Sequence, residues 1–510
     1  MPSPTSWSNT TRVNLTGIQT IDALLSGRRW ENPTLTYSFP EVDSFWSTSA
    51  TRGYGPSNGG EEPWHPGYEP LYSTDRTSFH AALQQWANIA NLQFFQLTET
   101  PTNVGDIRAA YTSSYILDNV QAWSYEPNDA AYAGDIWFDS NGTSVTEFWS
   151  PGSYEFLTVM HELGHALGLK HPFEGSGSVP TVLPTSLNTR SYTVMSYSAN
   201  PGDSNTSFSF EPTSLMLLDI ATIQHIYGAN YNYHAGDDVY LYSDLSTYHH
   251  TIWDGGGLDT IQYTGNHDAI IDLQQGHGSR IGIPVNIEST TGTLLQSVNN
   301  IWIAYGANIE NAMGGQGNDT LIGNDQNNAL NGGAGVDTAH YADKRSNYSV
   351  TKEANTFVVK ANIGKGDTDI IINLERLQFA DTRLAIDLNG NAGISSKVLG
   401  AIFGAESLSN KEFVGTGLQL LDGGMSYQEL AQLALNTKLG TDFSIDAEIN
   451  LLYQNLVDSL PNTEDLNHWT ETITSGKLTS ASLAVMAADS DLNTNNIDLI
   501  GLSQTGIEFL

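Results

Sequence analysis

The stretch FLTVMHELGHALGLKHP, residues 156–172, decides how this 510-residue chain is read. Its apolar residues recur at helical spacing, and His161 and His165 stand four positions apart, which on a helix puts two imidazoles on one face a turn apart. Glu162 sits beside the first. Gly168 permits the left-handed backbone that ends a helix, so the chain can double back and present His171 as a third ligand. Three neutral imidazoles leave a zinc ion one open position for water, which is the ligand set of a catalytic site. The other histidines, among them His80, His225, His249 and His250, show no metal spacing and read as surface or core residues.

Composition narrows the surroundings of such a site. The chain carries 20 Lys and Arg against 56 Asp and Glu, a formal charge of -36. That balance repels phosphate backbones and anionic lipid surfaces, which argues against nucleic acid as a partner, and it favours cation uptake. Cysteine is absent, so zinc has only nitrogen and oxygen donors to use. The opening MPSPTSWSNTTRVNLTG has no charged n-region followed by an apolar core, and no run approaches the roughly 18 apolar residues that span a bilayer. Neither a Sec-type signal nor a membrane anchor is expected, and an extracellular protein would need another export route.

Three regions follow one another. Residues 1–228 mix strand and helix patterns and read as an α+β domain, with a strand at Leu35–Phe39 and a helix from Asp75 to about Ala90. In that helix Phe79, Leu83, Trp86 and Ala90 recur at helical spacing behind an Asp75 cap. Residues 229–392 are rich in Gly, Asn, Asp and β-branched residues and hold a nine-residue repeat: GGQGNDTLI, GNDQNNALN and GGAGVDTAH over 314–340. That period fits a short parallel β-roll. Backbone carbonyls of its turns, at Gly315, Gly317, Gly332 and Ala334, together with the carboxylates of Asp319 and Asp337 two repeats apart, make an oxygen cage for calcium. Leu321, Leu330 and Ala339 would line the interior, and the middle repeat departs from the pattern at Gln326 and Asn328. Residues 348–381 alternate like strands, and residues 393–510 read as helical.

HELGHALGLKH (161–171) resembles the extended zinc motif of the metzincin peptidases, and SYTVMSY (191–197) resembles the Met-turn of their serralysin branch. LTYSFP (35–40), QAWSYEP (121–127), GDIWF (134–138) and LMLLDIATIQHIYGAN (215–230) are also similar to serralysin segments. The resemblance implies a secreted, extracellular zinc endopeptidase with calcium-binding (RTX) repeats. In it Glu162 is the general base, Met195 forms the floor beneath the metal, and Tyr197 is an extra zinc ligand that swings away to steady the oxyanion. It also implies that Gln121–Tyr125 forms the sheet edge that pairs with an extended protein or peptide substrate.

WDGGGLDTIQY (253–263) resembles the serralysin turn that opens the repeats, implying calcium at Asp254, Gly256, Gly257 and Asp259 together with Asn308 and Glu310. An earlier calcium loop of the family has no counterpart in YSDLSTYHH (242–250). Residues 450–489 resemble a helical module appended to secreted calcium-repeat proteins, and GIEFL (506–510) resembles an uncleaved type I secretion signal, implying the type I machinery as a partner. A monomer is expected. The competing reading is a catalytically idle, calcium-dependent adhesion or scaffold protein, and the intact Glu162 argues for the peptidase.

Overall fold

LTYSFP alternates sides as a half-buried strand should, and it forms β1 (Thr34–Ser38) with Leu35 and Tyr37 buried. The computed structural model describes residues 2–510 apart from 61, 114–120, 141–148, 176, 355 and 365. Two compact units emerge: Met1–Thr260 with Gln274–Ile309, and Ile261–Leu273 with Glu310–Leu510.

In the first unit α1 (Ser73–Ile89) follows β1 and leads to β2 (Gln93–Gln96), β3 (Ile107–Thr112), β4 (Ala122–Ser124) and β5 (Asp135–Asp139). The strands lie in the order β2-β1-β3-β5-β4, parallel except for β4, which runs antiparallel to β5 at the edge. Helix α1 buries Phe79, Leu83 and Trp86, the face its period marks out. It begins two residues before the expected cap, however. Asp75 lies inside the first turn, 2% exposed, and accepts from the Tyr111 hydroxyl and from Thr74 Oγ1. A buried carboxylate needs such donors, and these side chains supply them where an N-cap would have used backbone amides.

Helix α2 (Tyr154–Leu167) starts with Ser153 Oγ accepting from the Phe156 amide at 3.2 Å and is buried at every position from Val159 onward. Gly168 ends it at φ 110°, and a Cβ there would stand 2.5 Å from the Arg28 carbonyl oxygen, so both conformation and space demand glycine. Helix α3 (Leu217–Tyr227) completes the core around Trp30, Trp86 and Phe156.

In the second unit β6 (Ile270–Asp272) is followed by β7 (Asn311–Met313), β8 (Thr320–Ile322), β9 (Ala329–Asn331) and β10 (Thr338–His340), and these last four three-residue strands start nine positions apart. They are followed by β11 (Tyr348–Glu353), β12 (Thr356–Ala361), β13 (Thr368–Ile372), β14 (Arg376–Gln378) and β15 (Arg383–Ala385). Successive repeats alternate between two parallel sets: β6, β8, β10 and β14 pair in one, and β7, β9 and β13 in the other. The register stacks Ile271, Leu321, Ala339 and Leu377 in the first set and Ala312, Leu330 and Ile371 in the second, all buried. One apolar residue per repeat therefore builds each interior row.

Helices α4 (Asn391–Phe403), α5 (Lys411–Asp422), α6 (Tyr427–Leu439), α7 (Ile445–Val457), α8 (Thr463–Thr474) and α9 (Ser480–Ala488) follow, several around a core that includes Ile402, Leu435, Ile449 and Leu483. The tail is not helical: β16 (Ile507–Phe509) pairs antiparallel with β15. Among the described residues no helix is long and apolar enough to cross a membrane.

Candidate metal centre

Helical spacing and the Gly168 turn bring three imidazoles to one point. The Nε2 atoms of His161, His165 and His171 lie 3.1–3.2 Å from one another. Donors bound tetrahedrally at about 2.0–2.1 Å would be separated by about 3.3 Å, close to this spacing. The far nitrogens are engaged: His161 Nδ1 donates to Val194 O at 2.8 Å and His165 Nδ1 to Leu169 O at 2.9 Å. These bonds put the ring proton on Nδ1 and turn the Nε2 lone pair inward. Burial pushes His161 down to about 3 and lowers His165 and His171 too, so all three are neutral donors at physiological pH.

Glu162 is 4% exposed, burial pushes its carboxyl up to about 8, and its Oε2 has no hydrogen-bond partner among the described residues. An orphaned buried carboxyl oxygen beside three convergent neutral nitrogens fits a zinc centre. Tyr197, half exposed, sets its hydroxyl 2.7 Å from His171 Nε2 and so stands at the cluster.

Two residues that the spacing argument missed hold this arrangement. A Cβ at Gly164 would lie 2.5 Å from Met195 Sδ, so the glycine in HELGH lets the fully buried methionine pack under the helix. Asp219, on α3 and fully buried, takes Thr193 Oγ1 at 2.6 Å and the amides of Val194 and Met216 at 2.8 and 2.9 Å. It thus anchors the turn whose Val194 carbonyl orients His161. A lone acid inside the apolar run LMLLDIATI is the trace this role leaves in sequence. The buried pair Arg190 and Glu211 does similar work beyond Tyr197, whose carbonyl accepts from the Arg190 guanidinium.

The acidic candidates separate into two places. In the first unit Asp254 and Asp259 meet Asp238, which the sequence reading did not single out, with ligand atoms all within 4.8 Å. Asp254 accepts from the Gly256 amide at 2.7 Å and Tyr240 Oη at 2.5 Å, and Asp259 from the Asp238 amide at 2.8 Å. Gly256 has φ +130°, and a Cβ on Gly257 would sit 2.2 Å from Gly236 O. Asn308 Oδ1 accepts from Gln275 Nε2 at 2.7 Å, and the Glu310 carbonyl from Asn328 Nδ2 at 2.9 Å.

In the second unit Asp337 accepts the Asp319 amide at 2.7 Å, across the one-turn separation of 18 residues. Asp319 accepts the amides of Ala269 and Gly315 at 2.7 and 2.6 Å. Gly315, Gly317 and Gly332 lie where a Cβ would come within 2.3–2.5 Å of a carbonyl oxygen of another turn, while positive φ is confined to Gly333 and Gly335 within this repeat run. The Ala334 amide bonds to Gly315 O at 3.0 Å. Close approach, more than left-handed backbone, explains the glycines of these turns.

Residues 70–188 match the family described as Matrixin, and residues 217–390 the one described as Peptidase M10 serralysin C terminal. The chain is 33% identical over 277 residues to the serralysin of Proteus mirabilis, covering 49% of this chain and 54% of that protein. It is 37% identical over 266 residues to serralysin C of Dickeya chrysanthemi (47% and 52%), and 33% identical over 292 residues to metallopeptidase AprA of Pseudomonas marginalis (52% and 57%). The chain thus spans about half the length of these curated relatives. With the histidine cluster inside one matched segment and the glycine-aspartate repeats inside the other, this chain is similar in both segments to the serralysin-type metzincin metalloproteases.

Proposed function

We propose that this protein is a secreted zinc-dependent endopeptidase in which Glu162 is the general base. The observation that carries the reading is the buried, unpartnered Glu162 Oε2 beside three neutral imidazoles with converging Nε2 atoms. Bound zinc supplies a Lewis acid and acidifies water toward neutrality. Glu162 takes a proton from the attacking water and returns it to the leaving amine. Tyr197 donates its phenol proton in a hydrogen bond to the oxyanion that develops on the scissile carbonyl. Strand β4, last in its sheet among the described residues, would pair with an extended segment lying antiparallel to it, which selects unfolded or loop regions of protein substrates.

In this reading residues 1–228 form the peptidase domain, 229–392 a calcium-binding β-roll with its flanking β region, and 393–510 a helical module with a type I secretion signal at its tail. Calcium is held at Asp254 and Asp259 with Asp238, and at Asp319 and Asp337, where acidic oxygens gather in glycine-rich turns. The test is digestion of an unfolded protein by the full chain supplied with zinc and calcium. Cleavage that disappears in Glu162→Ala is expected. Full zinc occupancy without cleavage would overturn the reading in favour of a binding protein on a peptidase fold.

A further inference from the structure

His171 differs from the other two imidazoles in what holds its far nitrogen. His161 and His165 use backbone carbonyls, which no side-chain substitution removes, whereas His171 Nδ1 faces Glu174 Oε1 at 3.0 Å. The turn that makes this contact is built for it. The Glu174 amide donates to His171 O at 3.2 Å, and Lys170, 3% exposed, directs Nζ to the carbonyls of Ala23 at 2.6 Å, Thr181 at 3.0 Å and Glu174 itself. The Phe173 ring stacks on His171 at 5.1 Å and 6°. Backbone, ammonium and ring thus fix the segment from both sides while leaving one carboxylate oxygen on the imidazole.

Resting on the zinc reading above, we propose that Glu174 is the positioning residue of the third ligand, holding His171 in the tautomer and orientation that aim Nε2 at the metal. Its carboxylate is the one charged acceptor among the three groups that hold the ligand rings, so it also strengthens His171 as a donor. The Glu174 side chain is 59% exposed, and an exposed pair of this kind contributes little to folding. Its effect is therefore on metal affinity, and loss of such a partner costs about 10- to 100-fold.

The experiment measures zinc affinity of the full chain by competition with a chromogenic chelator for wild type, Glu174→Ala and Glu174→Gln, with the visible spectrum of the cobalt-substituted protein as a second readout. Glu174→Ala should bind zinc about 10- to 100-fold more weakly and shift the cobalt bands. Glu174→Gln, which keeps an acceptor without the charge, should restore the bands and recover part of the affinity. Affinity within twofold of wild type in Glu174→Ala, with peptidase activity of the wild type intact, overturns this inference and leaves the peptidase reading standing. A wild-type chain that takes up no zinc overturns both.

Discussion

The histidine cluster of the first unit and the aspartate turns of the second gather donor atoms under opposite electrostatic rules. Imidazole is a ligand when neutral, and burial favours that form. Three rings therefore stand 3.1–3.2 Å apart at Nε2 without charge repulsion. A carboxylate is a ligand when charged, and burial disfavours that form. Burial first, then the neighbouring Asp319, Glu375 and Asp268, push Asp337 up to about 7 against the help of the Asp319 amide, and its Oδ2 has no partner among the described residues. The histidine site can hold its shape unaided, whereas the aspartate turns carry a penalty that a proton or a cation relieves.

The largest expected effect tests the chemistry that the histidine cluster makes possible. Glu162→Ala should retain zinc and lose about 10^2- to 10^4-fold in kcat, measured with a peptide substrate beside elemental analysis. Retained turnover would remove Glu162 from the mechanism. Tyr197→Phe should also keep its zinc, since three imidazoles remain, and lower kcat by roughly 10- to 1000-fold with little change in KM. An effect confined to KM would make Tyr197 a substrate contact only.

Gly164→Ala probes whether the cluster's rigidity comes from packing. The new methyl meets Met195 Sδ, and overpacking of this kind costs about 1–3 kcal/mol, readable as a lower melting temperature of the zinc-free protein. An unchanged melt would show that Met195 moves aside freely.

The smallest effect sharpens the contrast by pH. In the second unit Asp319, Asp337, Asp369, Glu375, Asp387 and Glu448 all have raised carboxyl pKa values, with burial the first cause, and Asp337 and Asp369 reach about 7. A raised folded-state value means that the folded form binds protons more tightly than the unfolded one. The stability this gives is full below the unfolded value near 4 and is lost as pH rises toward 7. In chelator the second unit should thus melt a few degrees higher at pH 5 than at pH 8, and calcium at pH 8 should restore the difference. The first unit mixes raised acids such as Asp135 and Glu162 with histidines pushed down to about 4 at His249 and His250, whose contributions oppose each other, so its melt should move less. Equal shifts in both units would break the comparison.

What the sequence made legible follows from range. The histidine site is written within eleven residues, where helix period and one glycine turn suffice to place three rings. The interior rows of the repeats were legible for the same reason, because one apolar residue per nine falls into register. Asp219, Gly164 and Asp238 act through segments distant in the chain, and no local pattern distinguishes them from an acid in a helix, a weak helix former or a turn residue. Asp75 reads as a cap in the sequence because a capping acid and a buried acceptor look alike until Tyr111 is brought beside it.

Strand β16 carries a kinetic consequence. Thr382 Oγ1 donates to Phe509 O at 3.3 Å although 127 positions separate the two residues. Closing a flexible loop of that length costs about 4 kcal/mol in chain entropy, more than a three-residue strand returns by itself. The pairing with β15 is therefore expected to form late in folding, once the intervening helices have shortened the search, and pulse-labelled hydrogen exchange during refolding would check it. Hydrogen exchange at the Ile507 and Phe509 amides would report whether everything between residues 385 and 507 is in place.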